Sequence, residues 1–219
     1  MGVSGDTVKY TMKAHPTQFQ NVNFRSRLEA KWAAFFDLCG WDWVYEPVDF
    51  DGWSPDFLIR GHETLYVEVK PILKFDEETA SKMDNALRDV GDCEPLLLGL
   101  GPFADTCNSL TAIGWLGQDM REFSALTRSN PQEFSFDFGE ATIVRYSRER
   151  CESGGYRENG CKVATHSKTN HILGIAHSNQ SYTDRISGHY CGGHLDGPDL
   201  SSVEWMWRSA GNIVQWRKP

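Results

Sequence analysis

A mixed α/β fold, an α+β sheet with helices packed on it, is predicted by three features of the chain. SRLEAKWAAFFDLCG (26–40) repeats its apolar residues at helical spacing. PDFLI (55–59) and TLYVEVK (64–70) are short apolar, β-branched and aromatic runs joined by a short turn. PLLLGLG (95–101) is a continuous apolar run, the pattern of a strand covered on both faces.

Taken in order, residues 1–17 read as a loosely held arm, and FQNVNF (19–24) alternates as a strand or half of a hairpin. In the first helix Leu28, Trp32, Phe35, Phe36 and Cys39 form the core stripe. Ser26 is placed to cap its start and Gly40 to cap its end. WDWVYEP (41–47) is a strand stopped by Pro47, and the 55–59 and 64–70 pair follows. DEETASKMDNALRDVG (76–91) is a second helix, acidic at its start where the helix dipole favours negative charge. TAIGWLG (111–117) and ATIVRYS (141–147) read as strands. Residues 148–200 are rich in Gly, His, Ser and Asn and read as loop or as a segment ordered by a ligand. A last helix starts near Ser202, with Val203, Met206, Trp207 and Ala210 on one face. The expected organisation is an arm over 1–17, a core over 18–147, and an extension over 148–219 packed on that core.

The composition is that of a globular chain, 40% hydrophobic and 24% charged. No apolar run is long enough to span a bilayer, and the N-terminus lacks the apolar centre of a signal peptide, so a cytoplasmic protein without a membrane partner is expected. The net charge of −8 argues against adhesion to nucleic acid over the whole surface and leaves room for a local basic groove. Residues 141–190 carry 7 Lys and Arg against 4 Asp and Glu, the reverse of residues 1–100 with 10 against 17. Arg25, Arg27, Lys31, Arg145 and Arg148 are therefore the candidate contacts to a phosphate backbone.

The chemistry concentrates in WSPDFLIRGHETLYVEVKP (53–71). Strand alternation puts Glu68 and Lys70 on one face and Val67 and Val69 on the other. A tight antiparallel pair brings Asp56 close to Glu68. Two carboxylates, the backbone carbonyl of Val69 and waters make an oxygen-rich site of the kind Mg²⁺ prefers. Lys70 beside it is placed to position or deprotonate a water, or to stabilise charge on a phosphate.

Pro55-Asp56 followed by Glu68-Val69-Lys70 resembles the PD-(D/E)xK nuclease superfamily, the restriction-endonuclease-like proteins. The wider pattern FRSRLEAKWA, YEP, PDF, VEVKP is similar to that of small nucleases from phages and mobile elements, over residues 20–100. The resemblance implies an αβββαβ core, a Mg²⁺ or Mn²⁺ ion on Asp56, Glu68 and Val69, and a catalytic set of Glu29, Asp56, Glu68 and Lys70. It implies hydrolysis of DNA, with an RNA-directed nuclease and a catalytically inactive nucleic-acid-binding module as alternatives. A cut through both strands by a single site calls for a homodimer. Read without the resemblance, Glu29 completes a capping box with Ser26, and Glu68 and Lys70 form an exposed ion pair.

The remaining signal is a Cys and His cluster. Cys151, Cys161, Cys191 and His194 are candidate ligands for a structural Zn²⁺, although the spacing has no paired C-x₂-C. Free thiols and solvated histidines are the other reading. The same stretch, RYSRERCESGGYRENGCK, reads equally as a solvated loop or as a phosphate-binding groove with Tyr146 and Tyr156 for stacking.

Overall fold

The structure, a computed structural model, describes residues 14–106, 110–119, 136–147, 171–178, 183–188 and 197–215. A two-stranded hairpin, β1 (Thr17–Phe19) and β2 (Val22–Phe24), turns on Gln20 and Asn21, whose φ of 48° and 63° match a two-residue turn with both centres left-handed. Helix α1 (Arg27–Cys39) follows. Ser26 caps it by accepting from the Glu29 N–H at 3.1 Å, and Gly40 ends it at φ 75°, where a side chain would be strained.

Seven strands form one sheet: β3 (Asp42–Tyr45), β4 (Phe57–Arg60), β5 (Thr64–Val69), β6 (Cys93–Ala104), β7 (Thr111–Asp119), β8 (Phe136–Ser147) and β9 (His171–His177), in that spatial order. Every neighbouring pair is antiparallel except β5 and β6. That parallel pair needs a crossover, and helix α2 (Glu77–Leu87) supplies it. The order from α1 to β6 is thus helix, three strands, helix, strand.

Both faces of the sheet are covered. On one, Leu65, Val67, Val69, Leu96 and Leu98 pack under α1 through Trp32, Ala33 and Phe36, and helix α3 (Leu200–Ile213) joins the same cluster through Val203 and Ala210. Trp207 of α3 meets Trp32 with ring centroids 4.4 Å apart. On the other face Met83 and Leu87 of α2 pack with Leu97, Cys93, Trp53 and Phe136. This is why β6 reads as a continuous apolar run.

One sequence expectation is corrected. HILGIAH (171–177) lies inside the stretch read as loop, yet it is β9, paired with β8 from Ala141↔His177 to Ser147↔His171. Its apolar run is short and sits in polar surroundings, so only the partner strand reveals it. The sheet consequently runs on past residue 147, and the Trp41 indole N–H donates to the Leu173 carbonyl at 2.9 Å, tying β9 back to the end of α1. Among the described residues no helix is long and apolar enough to cross a membrane. Cys39 and Cys93 are buried, and the Cys93 thiol donates to the Val90 carbonyl. Arg148, Cys151, Cys161, Cys191 and His194 lie outside the described residues.

Candidate active site

The register of β4 and β5 pairs Phe57 with Val67, and the Asp56 N–H donates to the Val67 carbonyl at 2.8 Å. One step further along the same ladder sets Asp56 opposite Glu68. Lys70 follows directly on the last residue of β5, and its N–H donates to the Leu98 carbonyl at 2.9 Å. Glu29 comes from the first turn of α1, which packs on the face opposite Glu68 but reaches the cleft beside the ends of β3 and β4. Arg25, Glu29, Trp53, Asp56, Glu68, Val69, Lys70 and Lys82 together line a cleft of about 620 Å³. The four residues expected to act together are therefore brought together.

The two central carboxylates are held alike. Asp56 Oδ2 accepts the Val69 backbone N–H at 2.8 Å, and Glu68 Oε2 accepts the Trp53 indole N–H at 2.7 Å. These donors are buried and fixed. The other oxygens face cations on long side chains: Asp56 Oδ1 meets Arg25 Nη2 at 2.5 Å, and Glu68 Oε1 meets Lys70 Nζ at 2.6 Å. The carboxylate side chains are 6% and 8% exposed, whereas Arg25 and Lys70 are 56% and 42% exposed. Each carboxylate is thus anchored through one oxygen and turned to a movable charge through the other.

Glu29 does two jobs at once. Its Oε1 accepts from Ser26 Oγ at 2.7 Å, which ties it to the helix cap. Its Oε2 accepts from Tyr45 OH at 2.6 Å and from the Arg25 backbone N–H at 3.2 Å. The capping and cleft readings of this residue are therefore compatible. Burial, with the bond to Glu29 next, raises the Tyr45 pKa to about 12, so the phenol stays a donor.

Electrostatics follow from crowding acids out of water. Burial, and then the neighbouring Glu68 charge, raises the Asp56 pKa to about 7, against the pull of the Val69 N–H and of Arg25. Burial works against the Lys70 ammonium, but the Glu68 carboxylate outweighs it and the Lys70 pKa is raised.

Among the described residues no group of three Asp, Glu, His or Cys side chains is arranged to hold a metal ion. The side chains offer two carboxylates, Asp56 and Glu68. That number suits Mg²⁺, which keeps several waters and is bound through one or two carboxylates. The donors are all oxygen, which fits a hard cation and not a thiophilic one.

Other sequence candidates fall elsewhere. Lys31 Nζ sits over the Trp207 ring, 3.7 Å from its centroid, and burial lowers its pKa to about 8. It bridges α1 and α3 and does not line the cleft. Arg27 does not line it either, and Arg145 lies on β8 opposite Leu173. His62, in the turn after β4, packs against Gly188, and its backbone N–H donates to the Ile186 carbonyl at 2.9 Å. Trp53, Tyr45 and Lys82 were missed. Trp53 carried a weak signal, a tryptophan three residues before Asp56 in a polar loop; Lys82 carried none, since only the placement of α2 turns it to the cleft.

Comparison of the chain with protein-family models, with curated proteins and with solved structures gave no match.

Proposed function

We propose that the protein is a Mg²⁺-dependent deoxyribonuclease of PD-(D/E)xK type, hydrolysing a phosphodiester bond by attack of an activated water. One observation carries this reading: Asp56, Glu68 and Lys70 converge in one cleft, with both carboxylates anchored by a fixed donor and presenting a second oxygen. The order of elements from α1 to β6 supports the αβββαβ core that this class would have.

Asp56 Oδ1 and Glu68 Oε1 would hold the cation, with the Val69 carbonyl beside them. When bound, Mg²⁺ polarises a phosphoryl oxygen and acidifies a water. Lys70, freed from Glu68, positions that water and stabilises charge on the phosphate. Glu29, locked by Ser26 and Tyr45, orders the water on the α1 side of the cleft. Lys82 adds positive charge at the rim, where a polyanion enters.

The test is cleavage of supercoiled, linear, single-stranded and branched DNA, and of RNA, with Mg²⁺ or Mn²⁺. Wild type should cut DNA, and Glu68→Ala or Lys70→Ala should abolish cutting while the circular dichroism stays native. Cleavage retained in both variants would remove the site assignment. Wild type that binds DNA and Mn²⁺ but cuts nothing would favour a non-catalytic binding module, and preference for RNA would change the substrate.

A further inference from the structure

We infer that Arg25 is a place-holding cation: it occupies Asp56 Oδ1, yields that oxygen to the metal, and then meets the substrate phosphate, with Glu46 as its second seat. This rests on the nuclease reading of the same cleft and gives Arg25 a positioning role beside the catalytic set of Glu29, Asp56, Glu68 and Lys70.

One guanidinium serves two acids. Arg25 Nη2 lies 2.5 Å from Asp56 Oδ1, and Nε lies 3.1 Å from Glu46 Oε1. The two acids differ in kind. Asp56 is buried, whereas the Glu46 side chain is 49% exposed. The Arg25 backbone is pinned, its N–H donating to Tyr45 OH at 3.0 Å and to Glu29 Oε2. Only the side chain is free to turn.

Glu46 is held in an unusual way for this purpose. Its φ is 46°, in the left-handed region that a non-glycine residue rarely adopts, and its N–H donates to the Asp56 carbonyl at 2.9 Å. Such strain persists where the surroundings over-determine it and is concentrated at functional sites. Here it aims an exposed carboxylate back at Arg25. A guanidinium presents several donors in a planar fork, so it can leave Asp56 and keep Glu46. The freed Nη2 then faces the cleft that Lys70 and Lys82 also line, where a phosphate with two non-bridging oxygens suits the fork.

The experiment is a double-mutant cycle on the full chain, read by calorimetric titration with Mn²⁺ alone. Arg25→Ala removes the competitor and should tighten Mn²⁺ binding about fivefold. Glu46→Gln keeps an acceptor but removes the charge, leaves Asp56 as the only charged acid paired with the Arg25 side chain, and should weaken binding about threefold, an effect that should vanish when Arg25 is also absent. Additive effects would mean that the two charges act only through the general field, and would overturn the inference. Unchanged or weaker binding by Arg25→Ala would overturn it too. The phosphate contact is read by fluorescence anisotropy of a labelled DNA duplex in Mn²⁺, in a Lys70→Ala background. Adding Arg25→Ala there should weaken DNA binding about tenfold, and equal affinity would refute the contact. Should Arg25→Ala fail to fold, Arg25→Met keeps the stem and carries the same measurements. Folded wild type that binds no Mn²⁺ would bring down the nuclease reading itself, and this inference with it.

Discussion

Trp53 is the residue on which the site turns, although it bears no charge. Its indole N–H fixes Glu68 Oε2, and its ring stacks on Phe50 with centroids 5.9 Å apart and planes 19° from parallel. Phe50 in turn meets Tyr66 edge-on. Without that donor Glu68 keeps its place in the strand but loses its orientation. Trp53→Phe removes the hydrogen bond and keeps an aromatic ring against Phe50. Mn²⁺ affinity should fall about tenfold, as when a ligand's supporting bond is lost, with a native circular dichroism spectrum. Unchanged affinity by calorimetry would show that Glu68 is oriented by Lys70 alone. Asp56, Glu68 and Lys70 were legible in the sequence because strand period and a short turn determine which side chains share a point. Trp53 and Tyr45 were not, because each acts across a loop or between elements.

At the scale of elements, α1 shows how local and distant demands are met by one segment. Its start was legible because capping is local: Ser26 and Glu29 lie three apart and bond to each other whatever the rest of the chain does. What the helix does with Glu29 is decided by β3, which brings Tyr45 to the same carboxylate. Ser26→Ala should therefore cost about 1 kcal/mol in urea denaturation through the lost cap. It should also lower cleavage, though less than Glu29→Ala, because Tyr45 still holds Oε2. A loss of stability with cleavage unchanged would separate the cap from the site. Strand β9 is the contrary case. Seven residues with a central glycine in a polar stretch carry too little pattern to identify a strand, and β8 alone gives them one.

Across the whole molecule, the site imposes a stability cost. A carboxyl with a folded pKa of about 7, against the 3.8 of an ordinary aspartate, binds its proton more tightly when folded. Between those values the folded state holds more protons than the unfolded state, so stability falls as pH rises and levels off above about pH 7. Asp56→Asn removes this pH dependence. In EDTA, the melting temperature of Asp56→Asn should gain on wild type by about 5 °C between pH 4.5 and 7.5. Parallel curves would mean that Asp56 is ionised throughout. The fold meets this cost with a sheet covered on both faces, one by α1 and α3 and the other by α2.

By itself the sequence determined the features whose causes are local. These are the amphipathic α1 with its caps, the β4 and β5 hairpin, the doubly apolar β6, and the shared face of Glu68 and Lys70. Hydrogen-bond period and side-chain alternation act over a few residues, so they are written in consecutive letters. Tertiary structure alone decided the rest. It set Arg25 between Asp56 and Glu46, placed Trp53 behind Glu68, moved Lys31 onto Trp207 and away from the cleft, and recruited β9 to the sheet. Each of these depends on groups far apart in the chain or set by loop geometry, and their meeting is fixed by how the layers pack, which no local window contains.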